Sequence, residues 1–78
     1  MSQTTIEDIR RWGEAGFSQG NAYMIVVCDT FDWEDFPVYV KPGEDLRKEH
    51  DKHNGPNMEK VMEVYILTAD GPMPFTGF

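Results

Sequence analysis

The sequence predicts a single small α+β domain, ordered α-β-β-α-β, with a three-stranded sheet of spatial order 2-1-3 packed by two helices. Three observations carry this. The run Tyr23-Met24-Ile25-Val26-Val27-Cys28 is apolar at every position, so both alternating faces are apolar, as in a central strand. A second β-prone run, Phe36-Pro37-Val38-Tyr39-Val40, follows across a polar, acidic stretch, which is the pattern of a hairpin. Helix start and stop signals bracket the pair on either side.

The first helix is expected over residues 5–15. Thr4 with Glu7 three residues on forms a candidate capping box, and Ile6, Ile9 and Trp12 recur near helical spacing. Gly16 is the expected stop, in the left-handed position after the last turn. Gly13 inside the helix weakens it by roughly 1 kcal/mol relative to alanine. Residues 18–21 then turn into the first strand at 22–28, and 30–35 connect it to a second strand at 36–40. Pro37 cannot donate to a ladder, which places that strand at an edge or starts it one residue later.

A second helix is expected over 44–53, with acids at its start and Lys52 and His53 at its end, and with Leu46 as its only strong anchor. Asn54-Gly55-Pro56-Asn57 stops it. Met58, Val61, Met62 and Tyr65 fit helical spacing. The composition of residues 61–67, β-branched and aromatic, decides instead for a strand over 60–67. The domain is thus expected to occupy 1–67, and 68–78, with two prolines and two glycines, to be a C-terminal tail. The second helix carries the chain over to the third strand, so strands two and three run in the same direction. Two short helices are expected to leave part of the sheet uncovered. That face is a candidate contact for a partner or for a second copy, and a weak or moderate homodimer is expected through it, in preference to the edge strand 36–40 that Pro37 interrupts.

Charge narrows the function. The chain of 78 residues carries a formal charge of −7, from 14 acidic and 7 basic side chains. Asp29, Asp32, Glu34, Asp35, Glu44 and Asp45 face only Lys41 between positions 29 and 45, so that segment holds −5 of the excess. Direct nucleic-acid binding requires cations that displace phosphate counterions, so a basic surface on another protein is the expected partner. The lone Cys28 has no internal disulfide partner, no run approaches a membrane span, and the first residues lack a signal-peptide pattern. A cytoplasmic protein is expected.

The acidic stretch invites three readings. Asp29, Asp32, Glu34 and Asp35 offer hard oxygen donors at short spacing, yet the glycine and terminal glutamate of a calcium loop are missing. A solvated hairpin loop is the plain alternative. The third is a binding edge, because Phe31, Trp33 and Phe36 interleave with the acids, and exposed aromatics beside charge are what protein contacts use as anchors. The expected partner-binding set is therefore Asp29, Phe31, Asp32, Trp33, Glu34, Asp35, Glu44 and Asp45.

His50 and His53, three apart on the second helix, could join Asp29 and Asp32 in a metal-dependent module, but a structural zinc needs four ligands and Cys28 has no thiol partner. No nucleophile elbow, phosphate loop or dinucleotide fingerprint occurs. Neither an enzyme nor a cofactor is expected. Met24 and Met62 are expected in the core, and Met58 and Met73 on the surface, where methionine adapts to a partner.

The segments 24–32 (Met-Ile-Val-Val-Cys-Asp-Thr-Phe-Asp), 36–40 (Phe-Pro-Val-Tyr-Val), 42–45 (Pro-Gly-Glu-Asp) and 57–65 (Asn-Met-Glu-Lys-Val-Met-Glu-Val-Tyr) are similar to a group of small bacterial and mobile-element proteins of unknown function. The resemblance implies a stand-alone accessory protein, of the kind a phage carries, and implies no activity or site residue. Charge and resemblance together lead to the expectation of a non-enzymatic accessory or inhibitor. It would dock its acidic hairpin on a basic surface of a host nucleic-acid-handling protein, with carboxylates standing in for phosphates.

Overall fold

A computed structural model of the chain describes residues 4–55 and 58–76. Its elements are α1 (Ile6–Ser18), β1 (Tyr23–Asp29), β2 (Glu34–Val40), α2 (Leu46–His53), β3 (Glu59–Thr68) and β4 (Gly71–Pro74). The class is α+β, and the strands form one antiparallel sheet of order β2-β1-β3-β4. The most apolar strand, β1, lies inside it. β2 and β3 flank β1 and run the same way, with α2 connecting them. No helix among the described residues is long and apolar enough to cross a membrane.

The fourth strand corrects the three-stranded expectation and shortens the tail. Ala69 and Asp70 close a tight turn. Thr68 supports it by donating through Oγ1 to the Gly71 carbonyl at 2.7 Å and accepting the Asp70 N–H at 3.2 Å. Gly71 takes φ 112°, where a side chain would be strained. Its prolines disguised this strand in the sequence. Phe75 N–H donates to the Val64 carbonyl at 2.8 Å, so by ladder alternation the odd-numbered positions of β4 face inward and Pro72 and Pro74 turn their nitrogens outward. A proline on the open side of an edge strand costs the sheet no bond. Pro37 lies on the opposite edge, in β2, as expected. Pro56 and Asn57 of the expected helix stop, and Gly77 and Phe78 of the expected tail, lie outside the described residues.

Both ends of α1 differ from expectation. The N-cap is Thr5 rather than Thr4, and its box partner is Asp8 rather than Glu7: Asp8 N–H donates to Thr5 Oγ1 at 3.2 Å and Thr5 N–H donates to Asp8 Oδ2 at 3.0 Å. Gly16 does not end the helix. It is buried within it, and the left-handed glycine is Gly20, at φ 86°. Asn21 instead secures the helix end, its backbone N–H and side-chain Nδ2 both donating to the Gly16 carbonyl at 3.0 and 3.1 Å. Gly16 exists for contact: a β-carbon there would collide with the Tyr39 ring and come within 3.0 Å of Leu67. Gly13 plays the same part against Pro72, 2.7 Å from where its β-carbon would lie.

The two faces of β1 build two cores. Met24 and Val26, with Leu67, pack beneath Ile9 and Trp12 of α1 and beside Tyr39 and Tyr65. Ile25 and Val27, with Val40 and Val64, pack against Leu46 of α2 and against Phe75, whose ring meets Tyr23 edge-on at 5.9 Å. The second face is therefore covered by α2 and by a residue of the presumed tail. The face preferred for the expected homodimer contact is thus not left bare. Met62 also departs from its expected core position. The register slips between Val26 and Val27, so Glu63 pairs with Val26 and Val61 with Val27, and Met62 is the extra residue, left 52% exposed.

Candidate functional site

The β1–β2 connection is a turn fixed by its first acid. Asp29 Oδ1 accepts the N–H of Phe31 at 2.8 Å and of Asp32 at 3.4 Å, and the Asp29 carbonyl accepts the Trp33 N–H at 2.6 Å. An aspartate bonding its own backbone two residues on organises turns in this way. Asp29 is thus committed to the loop's shape. Thr30 fastens the loop to the start of β3, its N–H and its hydroxyl each donating to the Met58 carbonyl at 2.7 Å.

Aromatic surface is concentrated here. Phe31 is 73% exposed and Trp33 56%, and Met58, joined to the loop by Thr30, is 60% exposed. Trp33 and Met58 both take left-handed backbone conformations, at φ 57° and 62°. Each such residue costs on the order of 1 kcal/mol when it is not glycine. Asp32 and Glu34 are exposed between and beside the rings. Sequence reasoning placed Met58 on the surface. It did not join Met58 to the loop, because the 28-residue separation of Thr30 and Met58 leaves no local signal.

The rest of the expected partner-binding set divides. Asp35 is half-buried on β2, where its Oδ2 accepts the Thr4 hydroxyl at 2.5 Å and the residue lies opposite Cys28 in the register of β1 and β2. Burial, and then Asp35, push that thiol up from its ordinary pKa. Phe36 is partly buried against the core cluster of Ile25, Val27, Val40 and Val64. Glu44 and Asp45 belong to the other end of the sheet. Six steps of β2 at about 3.3 Å set them roughly 20 Å from the turn. Glu44 accepts the Lys41 N–H at 2.9 Å, and Asp45 caps α2 by accepting the Lys48 N–H at 3.2 Å. The contiguous acidic and aromatic tip is Phe31, Asp32, Trp33 and Glu34, with Met58 added.

The histidines do not join Asp29 and Asp32. His50 Nδ1 lies 3.2 Å from Asp51 Oδ1, and His53 Nδ1 lies 3.1 Å from Glu59 Oε1, where the pair links the end of α2 to the start of β3. Among the described residues, no three His, Cys, Asp or Glu side chains converge on a common point that could hold a metal ion. Comparison with protein-family models, with curated proteins and with solved structures returned no match.

Proposed function

We propose that this chain is a non-enzymatic interaction protein that docks the turn between β1 and β2 on a basic surface of a nucleic-acid-handling protein. The observation that carries the reading is the exposure of Phe31 and Trp33 in an acidic turn whose backbone Asp29 holds fixed. Water-exposed rings are an unfavourable arrangement that a partner relieves by burying them, and a loop already ordered loses little entropy on binding. Residues 29–35 hold four carboxylates and no lysine or arginine. Together they steer the tip toward cations, and the exposed pair Asp32 and Glu34 stands in for phosphates on a nucleic-acid-binding groove.

The test is capture from cell lysate, with bound proteins identified by mass spectrometry, using the native chain, a Phe31→Ser/Trp33→Ser variant and an Asp32→Asn/Glu34→Gln variant. Both variants alter exposed side chains. Nucleic-acid-binding proteins are expected on the native chain, released by added DNA and by salt, and lost at least tenfold with either variant. Capture that both variants leave intact, or that excludes nucleic-acid-binding proteins, would overturn the reading.

A further inference from the structure

Helix α1 touches the sheet unevenly. Its C-terminal half comes down where Gly13 and Gly16 admit Pro72, Tyr39 and Leu67, and the Tyr39 hydroxyl donates to the Trp12 carbonyl at 2.8 Å. Ahead of the helix, Thr4 is tied to Asp35. The first two turns bridge these fixed points and stand over a cleft of about 300 Å³ against Val26, Met62 and Tyr65. A second hollow, of about 240 Å³, continues it toward Pro72 and Pro74, sharing Ile6, Ile9 and Tyr65.

Aliphatic and aromatic side chains form the floor, and polar and charged ones stand among them. Ile6 is 79% exposed and Met62 stands out from the β3 bulge. Asp35 and Glu63 line one end of the cleft. Arg10 and Asp70 line the other and offset each other in formal charge. Lys60, opposite Cys28 in the β1–β3 register, stands outside this lining. The cleft therefore pairs an apolar floor with a net excess of two carboxylates, of which Glu63 is exposed while Asp35, half-buried and bonded to Thr4, contributes its charge alone. A side chain with an aliphatic stem and a cationic head fits both, the stem covering apolar surface while the head reaches Glu63. An acidic ligand would meet like charge, and so would a second copy at −7.

We propose that the α1–β3 cleft docks a partner-protein segment in which aliphatic and lysine or arginine side chains alternate around one face. The cleft uses residues other than the exposed tip and stands independently of the function proposed for that tip.

The isotope-labelled chain is titrated by NMR with three defined peptides: an amphipathic leucine–lysine peptide, a serine–lysine peptide of equal charge, and a leucine–glutamate peptide. The leucine–lysine probe is expected to shift Ile6, Ile9, Glu63 and Tyr65 saturably. The serine–lysine probe should bind at least tenfold more weakly, and the leucine–glutamate probe should leave the spectrum unchanged. Met62→Lys, and separately Ile6→Ser, should each weaken the leucine–lysine probe at least tenfold while retaining a dispersed spectrum. Phe31→Ser/Trp33→Ser should leave its affinity unchanged, which separates this site from the tip. Equal binding of the two lysine probes, shifts centred on residues 31–34, or full affinity in both cleft variants would overturn the proposal. So would concentration-dependent shifts of the same cleft residues without any probe, which would assign the cleft to a second copy.

Discussion

At the residue scale, Cys28 shows how environment fixes chemistry. It ends the apolar run of the first strand, and it is buried there. What the sequence could not show is Asp35 opposite it in the β1–β2 register, where a carboxylate disfavours the thiolate. Burial first, and the Asp35 contact second, raise the folded-state pKa above the ordinary thiol value of 9.0. A raised thiol pKa contributes stability that is complete below the unfolded value and is lost as pH rises through the folded one. Urea midpoints should therefore fall more between about pH 8 and pH 10 for the native chain than for Cys28→Ala, and iodoacetamide should label Cys28 only once urea unfolds the chain. Labelling of the folded chain at the unfolded rate would refute this. Asp29 teaches the complementary lesson. Its charge was legible, but its commitment to the turn backbone depends on loop geometry.

At the element scale, strands and helices were legible where one periodicity dominated, as in β1, and less so where a residue type has two uses. Glycine is the clearest case. Gly16 after an apolar stripe has the pattern of a helix stop, yet here it is the point where α1 meets Tyr39 and Leu67. Prolines disguised β4 for a similar reason, because the sequence does not say which way an edge strand turns its nitrogens. The glycine assignment makes a prediction opposite in sign to helix propensity. Alanine in a helix interior gains roughly 1 kcal/mol over glycine. At Gly16 the added methyl must displace a half-buried ring whose hydroxyl is tied to Trp12, and overpacking of that kind costs about 1–3 kcal/mol. Gly16→Ala should lower the urea midpoint, whereas propensity alone would raise it. A gain in stability would mean that the helix shifts to accept the methyl at no cost.

At the scale of the whole molecule, the sequence made the hairpin's charge legible but not how it is distributed. The −5 counted over residues 29–45 divides between opposite ends of β2, because a strand carries its ends apart as far as it is long. The closure of the sheet was equally hidden. Coverage of the Tyr23–Ile25–Val27 face depends on Leu46 and Phe75, one a lone anchor in a polar helix and the other beyond the expected domain end. That coverage bears on assembly. One sheet edge presents Pro72 and Pro74 outward, the other carries Pro37, and both faces of β1 are buried, so neither edges nor central faces offer a second copy a regular surface. Two chains would also each bring a charge of −7. The chain should therefore sediment as a monomer across a hundredfold range of concentration, with a melting temperature that does not move, since mass action would raise it in an obligate dimer. Association that strengthens with added salt would point to a dimer held by the remaining exposed apolar residues, Ile66 and Met73 on β3 and β4 among them, with charge repulsion screened.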